Sequence, residues 1–183
     1  METILNKLSS YLLLNHILAG GVYCVLSNAW GLPNIPLSEN ALTNLITFYF
    51  IGLAINRFGG IVIEKTLLKL KIIKYRPYEE FLYAEQKDKR ISELSEASHI
   101  YKTFTALMFV ITLLLIFQTL YENVNIDDCW NALQFIFSLF FVYNIKLIFA
   151  FGLFVLFLLS YRKQTEYIVS RIEKAKEGKN EHS

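Results

Sequence analysis

Residues 55–102 read INRFGGIVIEKTLLKLKIIKYRPYEEFLYAEQKDKRISELSEASHIYK. Ten of the chain's 18 Lys and Arg residues fall between positions 57 and 102 of this stretch. Apolar residues make up 54% of the 183 positions, and they are gathered in long blocks on both sides of it. Blocks of that length argue for membrane spans rather than the core of a soluble domain. The fold class that follows is all-α: an integral membrane four-helix bundle with cytoplasmic helical extensions, in one unit.

Upstream of the charged middle, residues 8–30 form the first predicted span and residues 41–63 the second. Each matches the roughly 20 residues needed to cross about 30 Å of hydrocarbon. Gly31, Pro33 and Pro36 make the short loop between them. The first run lacks a basic leader and an A-x-A-like site, so it reads as a retained span rather than a signal peptide. After Gly60, apolar residues alternate with Glu64, Lys65, Lys69, Lys71 and Lys74. This predicts the second helix leaving the bilayer, its lysines reaching lipid headgroups, until Pro77 stops it. In the cytoplasmic middle, residues 64–102, Ile91, Leu94, Tyr101, Phe104 and Met108 recur at helical spacing. Glu85, Lys89, Glu93 and Glu96 lie mainly off that stripe, and the helix is expected to run into the third span, 103–120. Lys89 and Arg90, with the four lysines before them, are candidates for contact with a cytoplasmic partner or lipid.

Downstream, residues 132–160 form the last apolar run. Twenty-nine helical residues measure about 43 Å, against about 30 Å of hydrocarbon, so the helix tilts or its outer end rises. In the tail, 161–183, Thr165, Ile168, Ile172 and Ala175 keep a helical spacing, a weak basis for a coiled coil. From Lys176 onward the polar composition predicts disorder. Charge sets the orientation. The two short loops, 31–40 and 121–131, hold no Lys or Arg, whereas the middle holds ten and the tail six. Positive residues stay inside, so both termini and the middle are expected on the cytoplasmic face of the cell inner membrane.

Several residues stand out. Gly52, Asn56 and Gly60 repeat every four positions, a spacing that lets two helices approach closely while Asn56 bonds across. Arg57 and Glu64 lie on one helix face, with Arg57 held by a carboxylate or a lipid phosphate. The plainer alternative is a snorkelling Arg57 beside incidental glycines. Lys146 sits between apolar runs, where a lysine at the bilayer centre costs about 3 kcal/mol on insertion scales. Three placements stay open for it: the outer headgroups, a polar interior near Asn15, His16 or Asn144, or a water-filled path between copies. His16 and His99 read as single interfacial histidines, with pH sensing the alternative. Cys24 and Cys129 belong to no CxxC pair, so no zinc site is expected. A disulfide between them requires the first span to end beside the second outer loop.

No GxxxxGK[ST], HExxH, GxSxG or GxGxxG motif occurs, and acids mixed with lysines mark a solvated helix rather than an active site. The formal charge of +2 argues against a direct nucleic-acid-binding face. The expectation is a non-enzymatic protein without cofactor. Its expected partners are membrane lipid, further copies of itself and a cytoplasmic protein.

The pattern of Arg57, Gly59, Gly60, Ile63, Glu64, Leu68 and Lys69, followed by Tyr78, Phe81, Asp88, Leu94, Glu96 and Tyr101, spans about fifty residues. It resembles small multi-pass bacterial membrane proteins of anti-phage defence systems, nearest to the Kiwa-type membrane subunit. The third span opens on Lys102 and Thr103, where that pattern has Arg-Thr. The resemblance implies a four-pass oligomeric protein that works with a cytoplasmic DNA-binding partner in phage defence. A small oligomeric ion channel or pore-forming effector is the other function that fits the residues.

Overall fold

The first helix stops at a glycine and the second starts at an asparagine. The computed structural model describes residues 2–33, 35–123 and 145–180. Helix α1, Glu2–Trp30, ends where Gly31 turns to φ +72°. The Gly31 amide then donates to the Asn28 carbonyl and the Leu32 amide to the Ser27 carbonyl, at 3.4 and 2.9 Å. These two bonds are a Schellman stop, and they tuck the Leu32 side chain into the core. Helix α2, Ala41–Phe58, begins at Asn40, whose side-chain oxygen accepts from the Leu42 amide at 2.9 Å.

A π-helical turn, Gly59–Glu64, continues α2 into the short α3, Lys65–Lys69. The sequence predicts a helix as far as Pro77, but the helix stops before it. It ends at Lys71, whose φ is 57°. Lys71 and Ile72 bond back to Leu68 and Leu67 at 3.0 and 2.9 Å. This second Schellman stop drives Ile73 into the core, which outweighs any preference of the lysine-rich run to stay helical. Helix α4, Tyr78–Lys87, follows. Then come two long helices, α5, Arg90–Asn123, and α6, Ile145–Asn180. No strand occurs among the described residues.

Four segments are long and apolar enough to cross a membrane: Tyr11–Trp30, Ala41–Lys69, Arg90–Thr119 and Ile145–Lys176. They form an all-α four-helix bundle, as fits a multi-pass membrane protein. The predicted third span, 103–120, is the apolar part of α5, which starts at Arg90. Residues 132–144 of the predicted fourth span lie outside the described residues. Helix α6 continues past Lys176 to Asn180, and residues 181–183 of the stretch expected to be disordered lie outside the described residues.

Two antiparallel helix pairs, α1 with α2 and α5 with α6, build the bundle. In the α1–α2 pair, Gly20 faces the Phe48 carbonyl and Gly52 faces the His16 carbonyl. A Cβ on either glycine would lie 1.8 Å from that oxygen, so backbone meets backbone. In the α5–α6 pair, Leu107, Ile111 and Leu115 share a core with Leu147 and Ala150. Phe104 packs on Phe157 and Phe109 on Phe154, ring centres 5.3 and 5.5 Å apart. Phe58 stacks on Phe109 and joins the two pairs.

The helical stripes of the charged middle and the tail meet one another. Ile91 and Leu94 of α5 pack with Ile168, Ile172 and Ala175 of α6, and α4 adds Phe81 and Ala84. The tail repeat therefore pairs within the chain, and an intermolecular coiled coil is not needed to bury it.

Candidate functional site

One polar cluster lies between the spans and a second network holds the polar extension. The first uses Asn15 and His16 of α1, Asn56 of α2 and Thr103 of α5. Asn15 and His16 lie within the first apolar segment, Tyr11–Trp30. They are 4% and 7% exposed, and Thr103 is fully buried. Asn15 Nδ2 donates to Thr103 Oγ1 at 3.3 Å. Asn56 Nδ2 lies 2.9 Å from His16 Nε2, and Asn56 Oδ1 lies 3.2 Å from Thr103 Oγ1. Thr103 Oγ1 also donates to the His99 carbonyl one turn earlier, at 2.8 Å. The Tyr49 ring stands edge-on to the His16 ring at 5.6 Å. Two atoms of the cluster, Asn15 Oδ1 and His16 Nδ1, are buried without a hydrogen-bond partner among the described residues.

Just beyond this cluster, Lys102 Nζ meets Glu64 Oε2 at 2.9 Å, and the two side chains are 11% and 24% exposed. Glu64 thus takes a partner from α5, not Arg57. Seven residues along a helix is about 10 Å, too far for a direct pair, whereas antiparallel α5 brings Lys102 alongside. Arg57 is exposed and makes no ion pair among the described residues.

The stripe Gly52–Asn56–Gly60 divides. Gly52 and Asn56 lie in the α1–α2 and α2–α5 contacts, but a Cβ on Gly60 would meet open space. Gly59 takes the interface position instead, 3.1 Å from the Ala106 methyl by the same test. Phase explains the correction. Successive residues point about 100° apart around a helix, so with Gly59 turned to α5, Gly60 is turned away from it.

The second network fastens the tail to the middle. Arg171 Nη1 donates to Asp88 Oδ2 at 2.5 Å, and Lys176 Nζ to Glu80 Oε1 at 2.7 Å. Arg76 pairs with Glu173. Gln164 Nε2 donates to the Leu94 carbonyl at 3.1 Å, and the hydroxyls of Tyr75 and Tyr161 lie 2.6 Å apart. The Arg171 guanidinium, helped by the Arg90 amide, holds the Asp88 carboxyl below the usual carboxylate range. Lys176 does the same to Glu80.

Lys146 is exposed at the start of α6, and its ammonium donates to the Trp30 carbonyl at 3.4 Å. Among the placements left open, this is the end of the bundle away from the polar extension. Fourteen residues of α1, about 21 Å, separate it from His16. A lysine at a helix C-terminus satisfies a free carbonyl and suits the helix dipole. Lys65, Lys69, Lys71, Lys74, Lys89 and Arg90 are all exposed, and none makes an ion pair among the described residues. Cys24 is buried. Cys129 and Asn144 lie outside the described residues, and with Cys129 the disulfide pairing. Among the described residues no three of His, Cys, Asp or Glu converge as metal ligands.

No protein-family model matches the chain, and neither a curated protein nor a solved structure does.

Sequence reasoning passed over Thr103, Gly20 and Gly59. A signal was present for the first: Asn15, Asn56 and Thr103 are polar residues inside three separate apolar segments, each costly there without a partner. For the glycines, the partner helix's phase was the missing information.

Proposed function

We propose that this chain is a membrane-embedded, non-enzymatic subunit that presents a cytoplasmic helical platform to a soluble protein partner. Following the Kiwa-type resemblance, its setting is bacterial anti-phage defence at the inner membrane, with both termini cytoplasmic. The observation that carries this reading is the continuity of α5 and α6. Each runs unbroken from its apolar segment into the polar extension, where the two pack together through Ile91, Leu94, Ile168 and Ile172 and three ion pairs tie α6 to the segment around α4. A displacement of the spans is therefore transmitted to the platform without an intervening hinge in either helix. The exposed cations Lys65, Lys69, Lys71 and Lys74 support contact with anionic lipid, and Lys89 and Arg90 support contact with the partner. Association into homo-oligomers is supported by the spans' low burial, which falls to 17% for the last.

The test is affinity purification of the tagged full chain in mild detergent from its native host, with phage plating on a deletion strain. Capture of one stoichiometric soluble protein and loss of protection are expected. Purification of the chain alone, with unchanged plating, overturns the reading. The second reading, an oligomeric channel, draws on the same low burial. Ion flux in liposomes that collapses with Lys146→Leu favours it, and unchanged flux removes Lys146 from any path.

A further inference from the structure

The hydroxyl of Thr103 has one proton, yet two acceptors stand beside it, the His99 carbonyl at 2.8 Å and Asn56 Oδ1 at 3.2 Å. The shorter contact takes the proton. Asn56 Oδ1 then faces an oxygen that cannot donate to it. Rotating the Asn56 amide by a half-turn about its terminal bond, which exchanges its oxygen and nitrogen, resolves this. Asn56 Nδ2 now donates to Thr103 Oγ1, whose two lone pairs accept from Asn56 and from Asn15. Asn56 Oδ1 now faces His16 Nε2 across the same 2.9 Å, so Nε2 carries the imidazole's proton. The unrotated arrangement would put that proton on Nδ1 and bury an N–H with no acceptor, since Nδ1 has no partner among the described residues. Buried orphan N–H groups are the rarest kind.

The proton count leaves two bare acceptors, His16 Nδ1 and Asn15 Oδ1, on side chains more than nine-tenths buried inside an apolar segment. Neither can be satisfied by lipid, and each can take a hydrogen bond only from a donor. We propose that the α1–α2–α5 cluster is a hydrated proton-binding site, with His16 Nδ1 as the base and water as the carrier. The step is a simple transfer. A proton from water or hydronium forms a bond with the Nδ1 lone pair, Nε2–H stays on Asn56 Oδ1, and neutral imidazole becomes imidazolium. Water enters from the end of the bundle where Arg57 is exposed and Glu64 and Lys102 are partly exposed.

The charge arrives in a defined setting. From α2, His16 is faced by Tyr49, Asn56 and the guanidinium of Arg57. From α5 come Thr103 and, near it, His99 and Lys102, the last neutralised by Glu64 of the π turn. Glu64 is the carboxylate beside Lys102, and Glu96 of α5 acts on Tyr11, nearer the start of α1. An imidazolium on α1 is therefore repelled by Arg57, at the place where the His16 carbonyl rests on Gly52. Protonation loosens α1 from α2, so acidification reaches the bundle through a helix contact that has no slack.

Nitrogen NMR of ¹⁵N-histidine-labelled full chain in lipid nanodiscs tests this, with His16→Gln to identify the signal among the 3 histidines. The expected result is the Nε2–H tautomer near pH 8, a water-to-His16 magnetisation transfer, and conversion to imidazolium as pH falls to about 5. Thr103→Val should mix the tautomers by removing the group that orients Asn56, whereas Thr103→Ser should preserve the wild-type pattern. An Nδ1–H tautomer in the wild type overturns the assignment. A neutral ring without water transfer throughout the range overturns the site.

Discussion

Replacing Gly52 with alanine tests the bundle at its tightest point. The new Cβ would lie 1.8 Å from the His16 carbonyl oxygen, where carbon and oxygen normally rest about 3.3 Å apart. The axes of α1 and α2 must therefore separate by about 1.5 Å, out of the 8–10 Å typical of packed helices. That shift also stretches the 2.9 Å contact between Asn56 and His16 one turn along. Overpacking of this kind costs about 1–3 kcal/mol, and a strained interhelical hydrogen bond adds about 0.6 kcal/mol. Gly60→Ala is the control. Its Cβ enters open space, and alanine gains up to about 1 kcal/mol over glycine in a helix. Reversible unfolding of the purified protein in mixed micelles should move in opposite directions for the two variants. A Gly52→Ala protein as stable as wild type would refute the close-contact reading. Destabilisation or lost oligomer with Gly60→Ala would place that glycine between copies of the chain.

Four further outcomes follow from the same geometry. Thr103→Val removes the hub of the polar cluster and should cost about 1–2 kcal/mol, at roughly 0.6 kcal/mol for each bond inside a membrane protein, read in the same unfolding assay. Lys71→Gly relieves a left-handed residue and should stabilise by about 1 kcal/mol, seen as a higher midpoint in a thermal melt. The depressed Asp88 and Glu80 carboxyls hold the tail in place above their ordinary value of about 4, and that contribution is lost as pH falls through the lower folded values. Spin labels on α4 and α6 should report separation only below about pH 4. Exchanging the partners, Glu80→Lys with Lys176→Glu, should retain the label distance that Glu80→Lys alone increases.

Much of the fold is legible from local chemistry. Hydropathy over about 20 residues is a property of the segment itself, so the four apolar helices and the charged middle can be read before any packing is known. The breakpoints are less accessible. Pro77 is a visible stop, but α3 ends earlier, because the burial of Ile73 favours a turn through Lys71. The tail announces its helical spacing through Thr165, Ile168, Ile172 and Ala175, but not what that helix packs against. Its apolar stripe is short, and only the facing stripe on α5 gives it something to cover.

The candidate residues divide along the same line. Sequence by itself determined which residues are expensive in hydrocarbon: Asn15, His16, Asn56, Arg57, Glu64 and Lys146 are conspicuous wherever their helices turn. Tertiary structure alone decided how each is accommodated. Glu64 joins Lys102 from another helix, Lys146 rests on the end of α1, and Asn56 bridges His16 and Thr103. Gly59 meets α5 and Gly60 does not, because neighbouring residues point about 100° apart and only the position of α5 selects which one faces it. The cost of exposing a side chain to lipid is set by that side chain, whereas its partner is set by the rotation and crossing of two helices far apart in the chain.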